Sequence, residues 1–208
     1  MKVKKFEEVG KMKRHFMGLG ILIFFLSALP VYAGAPLDTV QANVNKVLDV
    51  LRDPNLKGES AKGTKKEKLE AIYEQMFDGV ELSMRTMGAN WNKLNPVQQK
   101  EFVQLYRQVL EKAYIDKILS YTNEKIVFPK ESMLSNNQAE VQTKVITSST
   151  EIPIFYKVIL KGSTWKVYDV VVENVSLVQN YRSQFNSILA KNTPDQLLET
   201  LRKKVKGQ

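Results

Sequence analysis

The sequence predicts an α+β protein in which helices come first, an antiparallel sheet follows and two helices close the chain. Two observations support this prediction. Before residue 121 and again after residue 176, apolar residues recur every three to four positions, as on an amphipathic helix. Between about residues 124 and 173, short runs rich in Val, Ile, Thr and aromatics are separated by turn signals, as in strands. Helices followed by consecutive strands are typical of an α+β domain.

The first 33 residues have the pattern of a secretory signal. Six lysine or arginine residues precede His15, and residues 16–29 are almost wholly apolar. Val31 and Ala33 occupy the positions that a signal peptidase reads, so we expect cleavage after Ala33. The apolar run is shorter than the about 20 residues of a spanning helix, which disfavours an uncleaved anchor. The sequence therefore predicts export to the periplasm of a single mature domain, residues 34–208.

Removal of this segment changes the charge and the chemistry that the chain can perform. It takes away six basic and two acidic side chains, so the formal net charge falls from +9 to +5. Such mild basicity suits an anionic membrane surface or an acidic partner, and we expect no nucleic-acid binding. The chain has no cysteine, and its single histidine is His15. Disulfides, thiol nucleophiles, histidine catalysis and the usual zinc sites are thereby excluded from the mature chain.

Four helices are predicted before the sheet, over residues 37–51, 68–77, 80–87 and 95–121. Asp53 and Pro54 end the first helix, and a polar segment rich in Gly, Ser, Thr and Lys follows as an exposed loop. Asn95 is the predicted cap of the fourth helix, and Pro96 occupies its first position. The apolar arc of this fourth helix is broad, so we expect it to lie against a large surface.

Four strands are predicted, over residues 125–128, 139–147, 151–160 and 164–173. In the third strand, the face that carries Ile154, Tyr156 and Val158 is more apolar than the other, so we expect it to face the core. Pro153 favours an edge strand or the beginning of a strand, because proline has no amide donor.

Two closing helices are predicted over about residues 176–206. Ser176 followed by Gln179 forms a capping-box pattern at the start of the first. Thr193 and Gln196 repeat this device at the start of the second, with a proline after the cap.

Two blocks of the sequence resemble the MlaC family, also called the toluene-tolerance family. The first block, residues 94–114, opens with LNPVQQ and contains Phe102 and Tyr106. The second block, residues 165–185, reads WKVYDVVVENVSL and then YRSQF. The resemblance spans nearly all of residues 37–206. Family members often have glycine where this chain has Asn174, but asparagine also tolerates a positive φ, so the turn need not change.

The resemblance implies a fold and a function that periodicity alone does not give. It implies a curved, nuclear-transport-factor-like sheet joined to a helical subdomain, with phospholipid tails enclosed in an apolar cavity. It implies a periplasmic shuttle between an outer-membrane lipoprotein complex and an inner-membrane ABC transporter of the MCE type, which maintains outer-membrane lipid asymmetry. We expect a monomer without metal or cofactor. A carrier is needed because each tail methylene costs about 0.8 kcal/mol to expose to water.

The resemblance also supports a predicted lining for the lipid. Its members lie on the fourth helix, on the inward faces of the strands, and at or after the end of the last strand: Phe102, Tyr106, Val109, Tyr114, Ile154, Tyr156, Val158, Val170, Val172, Val175, Tyr181 and Phe185. Val175 and Tyr114 match family motif positions, and Val175 lies where a strand gives way to a helix. An apolar residue on such a face is usually ordinary core, so the resemblance supports this set more than the pattern does.

Two alternatives remain open at this point. A relative associated with hopanoid lipids would use the same fold. An isomerase-like or dehydratase-like cone would use Asp169, which interrupts an apolar strand beside Tyr168, as a catalytic carboxylate. The missing histidine and the export signal disfavour the enzyme. We therefore expect Asp169 to be a structural hydrogen-bonding group and predict no catalytic residue.

Overall fold

A computed structural model describes residues 35–121 and 124–207, so the predicted signal segment lies outside the described residues. The helices are α1 (Pro36–Arg52), α2 (Lys62–Met76), α3 (Gly79–Met87), α4 (Pro96–Leu119), α5 (Leu177–Leu189) and α6 (Pro194–Lys206). The strands are β1 (Lys125–Ser135), β2 (Gln138–Ile146), β3 (Glu151–Lys161), β4 (Thr164–Val172) and β5 (Val175–Ser176). The predicted α+β class and the order of the predicted elements are confirmed, and the two-residue β5 is a strand beyond the four predicted.

The strands form one open antiparallel sheet in the order β1-β2-β3-β4-β5, so each strand pairs with the next along the chain. The last turn is tight, because Val172 pairs directly with Val175. Its two central residues, Glu173 and Asn174, have φ of 49° and 67°. A two-residue turn with both φ positive matches the right-handed twist of the flanking strands. Asn174 therefore adopts the positive φ that asparagine was expected to tolerate, and Glu173 has the same left-handed conformation.

Strand β1 is longer than the four residues predicted. The register between β1 and β2 shifts between Val127 and Lys130, and again before Ser135. The first irregularity is a bulge that contains Phe128 and Pro129. Proline has no amide donor, so it is tolerated at a bulge on an edge strand. The apolar pattern breaks at this bulge although the strand continues.

The inner face of the sheet is the face that carries Val141 of β2 and, in register with it, Tyr156 of β3. Helix α1 covers part of this face with Val40, Val44 and Leu48, which recur every four residues and are buried. Together they belong to the sheet cluster, the hydrophobic core formed by buried residues of α1, α2 and the strands: Val40, Val44, Leu48, Met76, Ala139, Val141, Val158, Trp165, Val167 and Val170. The expected inward face of β3 is therefore confirmed.

Polar contacts hold α1 at both of its ends. The backbone amide of Leu37 donates to the Glu131 carboxylate at 2.7 Å, which places a negative charge at the start of the helix. At the other end, the Arg52 guanidinium donates to the Tyr121 hydroxyl at 2.6 Å.

Helices α3 to α6 and the segment between α3 and α4 build a second core, the helical cluster: Leu82, Met87, Leu94, Phe102, Tyr106, Val109, Leu110, Val178, Tyr181, Phe185, Leu197, Leu198 and Leu201. The predicted caps are formed, since Asn95 with Gln98 and Thr193 with Gln196 each make a complete capping box. At the start of α5, the Ser176 side chain accepts from the backbone amide of Gln179, which is one of the two hydrogen bonds of a capping box.

Phe77 packs against both clusters and ends α2 in an extended conformation. The next residue, Asp78, donates its amide to the carbonyl of Val167 in β4 at 2.9 Å. Its side chain accepts from the Glu81 amide at 2.8 Å and so caps α3. This junction fixes the helical cluster to the sheet. Among the described helices, none is long and apolar enough to cross a membrane.

Candidate functional site

The twelve predicted lining residues do not form one continuous wall. Five belong to the helical cluster and five lie on the inner face of the sheet. The remaining two, Tyr114 and Val175, lie at the margins of these groups. Each group has a different degree of burial, and this difference decides which of them is available to a ligand.

The helical group is tightly packed. Phe102, Tyr106, Val109, Tyr181 and Phe185 are each at most 5% exposed. The rings of the four aromatic members contact one another with centroid separations of 5.2–5.8 Å, mostly edge to face. This is the geometry of an ordinary aromatic core. The Tyr106 hydroxyl lies 3.3 Å from that of Thr86, and burial raises the pKa of Tyr106 well above its ordinary value.

The sheet group is covered unevenly. Val158 is 1% exposed and Val170 is 9% exposed, so both are sealed. Ile154, Tyr156 and Val172 are only partly buried, although they lie on the same face and in the same cluster. The register pairs Ile154 with Val172 and Tyr156 with Val170, so the incompletely covered residues are neighbours on adjacent strands.

Further residues extend this incompletely covered region. We define the apolar strip as the partly buried residues of β1, β3 and β4 that pack against the sheet cluster: Ile126, Phe128, Ile154, Tyr156, Leu160 and Val172. Tyr121 and Leu177 are also partly buried and pack against the same cluster. Neighbouring large apolar side chains that a fold leaves half covered are typical of ligand or interaction sites.

The residues of β1 in this strip were missing from the predicted lining. Ile126 and Phe128 are two positions apart, which is the spacing of side chains on one face of a strand. That signal was present in the sequence. It was not used because the faces of the short predicted β1 were not assigned.

Tyr156 is the polar member of the strip. Burial raises the pKa of its phenol to about 12, and no charged group contributes to the shift. The hydroxyl therefore stays protonated at neutral pH in a largely apolar environment.

Val175 and Tyr114, the two residues predicted from family motif positions, lie at the margins. Val175 is 54% exposed in the β4-β5 hairpin and pairs with Val172, so it borders the strip. Tyr114 is partly buried against the helical cluster, and burial raises its pKa. The Lys117 ammonium lies 5.9 Å from the centroid of the Tyr114 ring.

Asp169 is 3% exposed and has its oxygens occupied. Its carboxylate accepts from the Ser176 hydroxyl at 2.7 Å and from the Val178 amide at 3.1 Å. Lys157 lies 3.6 Å away, across the β3-β4 pair on the face opposite the apolar strip. These contacts tie the start of α5 to the sheet, which is the structural role expected of Asp169.

A second charged group joins α3 to β3 and is also internally paired. The Glu81 carboxylate accepts from Lys161 and from Arg85, each at 2.8 Å. Burial acts to raise the pKa of Glu81, but these hydrogen bonds and charges outweigh it and lower the pKa. The Arg85 guanidinium also lies 3.9 Å from the centroid of the Tyr168 ring. Arg85, the charged residue beside Tyr168 of the enzyme alternative, is thus engaged in a structural ion pair with Glu81.

Two surface clefts have volumes of about 470 and 450 Å³. The first is lined by Lys66, Glu70, Arg107, Gln108, Glu111, Lys112, Ile115 and Val205, and the second by residues between Gly58 and Lys65 together with Asp116, Leu119 and Ser120. Neither includes a predicted lining residue. Their charged walls are unsuited to acyl chains, which leaves the apolar strip as the candidate site.

Comparison with known proteins gives a consistent result. The family model described as MlaC protein matches residues 41–203. The toluene tolerance protein ttg2D of Pseudomonas putida is 25% identical over 180 residues, which are 86% of this chain and 84% of that protein. The intermembrane phospholipid transport system binding protein MlaC of Haemophilus influenzae is 25% identical over 119 residues, or 55% of this chain and 56% of that protein.

A solved structure shares the fold. The phospholipid-binding protein from Ralstonia solanacearum, in complex with a phospholipid, superposes with a TM-score of 0.76 at 20% identity and covers 84% of this chain and 98% of its own. The likeness extends over the helices and the sheet together. With the family model matching most of the sequence, this chain belongs to the MlaC family.

Proposed function

We propose that this protein binds a phospholipid through its apolar strip and carries it across the periplasm. The observation that supports this best is the uneven burial of the inner face. Val158 is fully covered, whereas Ile154 and Tyr156 on the same strand are not. A side chain such as isoleucine gains about 1.5–3 kcal/mol from full burial, so leaving several of them half covered is costly unless something else covers them.

Acyl chains have the right chemistry to cover the strip. They are apolar and flexible, and they need no hydrogen-bond partners from the wall. The relatives point the same way, since the Haemophilus protein is named as a phospholipid transport binding protein and the Ralstonia structure holds a phospholipid. Each buried methylene contributes about 0.8 kcal/mol, so two long tails supply ample free energy for binding.

The proposed location and partners rest on the family and on the predicted N-terminal signal. The secretion signal predicted at residues 1–33 supports a periplasmic location. As partners we propose an inner-membrane ABC transporter of the MCE type and an outer-membrane lipoprotein complex, with maintenance of outer-membrane lipid asymmetry as the outcome. No metal or cofactor enters this scheme, and the lipid is cargo.

The test is to purify the mature protein from cells under mild conditions and to identify bound molecules by native mass spectrometry and lipid extraction. We expect phospholipid at close to one per protein. A delipidated sample should take up added phospholipid from vesicles. A stable protein that carries no lipid and takes up none would refute the proposal, and an extracted hopanoid would replace phospholipid as the cargo.

The enzyme alternative has less support than the carrier. A general acid or base needs a free carboxylate within reach of a substrate. The Asp169 oxygens instead accept from Ser176 and Val178, on the face of the sheet opposite the apolar strip.

A further inference from the structure

Tyr156 occupies the middle of the apolar strip. It is the sixth of the eleven residues of β3, and it pairs with Val141 on one side and with Val170 on the other. Ile154 and Val158 precede and follow it on the same face of the strand. The phenol thus rises from a surface of aliphatic side chains.

The hydroxyl of Tyr156 has no hydrogen-bond partner among residues 35–121 and 124–207. Among the described tyrosines, Tyr168 donates to Gln138 at 3.0 Å and Tyr121 to the carbonyl of Glu124 at 2.5 Å, whereas Tyr73, Tyr114 and Tyr181 also lack such a bond but lie outside the apolar strip. A buried tyrosine usually finds a partner for its hydroxyl, because an unpaired buried polar group is costly. The Tyr156 hydroxyl is therefore left as a donor that an acceptor from outside the described chain can use.

This hydroxyl is not fully sealed by the protein. Among the described residues, no side-chain polar atom is both fully sealed and without a hydrogen-bond partner. Because the Tyr156 hydroxyl makes no such bond, it must retain contact with accessible space. Tyr156 as a whole is only partly buried, as are Ile154 and Val172 beside it. The free donor therefore faces the region where the lipid is proposed to lie.

The surroundings select the kind of acceptor. Burial raises the pKa of Tyr156, and no lysine or arginine of the described residues contributes to that shift. Placing a phosphate anion there would leave a charge without a counterion, which is very unfavourable. A neutral carbonyl needs only one donor. In a glycerophospholipid, the ester carbonyls lie where the polar part joins the tails.

We propose that the Tyr156 hydroxyl donates a hydrogen bond to an acyl ester carbonyl of the bound lipid. This inference rests on the proposed function and deepens it. The strip accepts hydrocarbon of any origin, whereas Tyr156 selects diacyl lipids that carry an ester. It also sets the depth of the lipid, because the bond fixes the glycerol end at the middle of β3.

The experiment compares two lipids that differ in the ester alone. Delipidated protein is mixed with equal amounts of diester and diether phosphatidylglycerol of the same chain length, and the two complexes are quantified by native mass spectrometry. Wild type should prefer the diester roughly 2- to 10-fold, the value of one neutral hydrogen bond. Tyr156→Phe should lower diester binding by that factor, leave diether binding unchanged and abolish the preference.

Tyr168→Phe is the matched control, because it removes a tyrosine hydroxyl that is bonded to Gln138 away from the strip. It should keep the wild-type preference. Tyr156→Phe should fold normally, since the lost hydroxyl has no partner within the described residues, and a thermal melt checks this.

Three results would overturn the inference while the carrier function stands: wild type binds both lipids equally, Tyr156→Phe keeps the diester preference, or Tyr156→Phe weakens both lipids to the same extent. The third result would point to the phosphate as the acceptor. If wild type binds neither lipid, the proposed function fails, and the inference fails with it.

Discussion

The role of Asp169 can be tested by replacing it with asparagine, which has the same shape and no charge. In the native protein one carboxylate oxygen accepts from Ser176 and the other from Val178. The amide of asparagine keeps one acceptor and turns a donor toward the other partner. Because the Ser176 hydroxyl can accept from that donor, both hydrogen bonds can persist without the charge, which costs about 1.5–3 kcal/mol in total, and the ion pair with partly exposed Lys157 adds up to about 1 kcal/mol. We expect Asp169→Asn to lower the free energy of unfolding by roughly 2–4 kcal/mol.

The measurement is urea denaturation followed by far-UV circular dichroism. For a chain of this size, such a loss corresponds to a fall in Tm of roughly 4–16 °C. Lys157→Gln is the control, since it removes the ion pair and leaves both hydrogen bonds of the carboxylate intact. It should cost about 1 kcal/mol or less. Native-like stability of Asp169→Asn, within about 0.5 kcal/mol, would refute the structural role and make the enzyme alternative worth pursuing.

Three further predictions concern the margin of the strip, the tyrosines and the start of α4. Val175→Asp should lower lipid co-purification about tenfold, because a carboxylate beside the tails must be desolvated. The control is Val97→Asp, at a residue 76% exposed on α4, which should leave the lipid content unchanged. Equal lipid content in both variants removes Val175 from the site. Burial raises the pKa of Tyr73 and of Tyr156 to about 12, above the value near 10 of a tyrosine in the unfolded chain. Because the unfolded chain loses these protons first, the free energy of unfolding should be constant below pH 10 and fall between pH 10 and 12. A urea midpoint that stays constant over this range contradicts the prediction. Asn95→Ala should cost about 1 kcal/mol in urea denaturation, because it breaks the capping box of α4, and an unchanged midpoint would show that the cap contributes nothing.

The secondary structure was most predictable where local signals are strong. Asn95 and Thr193 begin helices at the expected residues, because a side-chain cap followed by proline determines the chain locally. Two boundaries were wrong for physical reasons. Helix α2 begins at Lys62 rather than near residue 68, since its first turn is exposed and has the composition of a loop. Strand β1 continues past Pro129 because an edge strand absorbs proline in a bulge.

The candidate site was less predictable than the fold. Periodicity identifies an inward face but cannot tell a sealed position from a half-covered one. Phe102 and Tyr156 both lie on apolar faces, yet Phe102 is fully buried among aromatic rings and Tyr156 is not. The burial of Tyr156 depends on how far the helices extend over the sheet, whereas that of Phe102 depends on the packing of α4 against α5, and both are tertiary properties. The missing partner of the Tyr156 hydroxyl is also visible only in three dimensions.

The separation of the two hydrophobic clusters has a consequence for how the protein opens. Among the described side chains, Phe77 is the one that packs against both clusters. Regions joined by so few apolar contacts tend to unfold as separate cooperative units. Native-state hydrogen exchange should therefore resolve two classes of amide protons, with α4 and α5 exchanging more slowly than α1. Under that division, we expect α1 to open at its Leu37 and Arg52 contacts while the helical cluster stays folded.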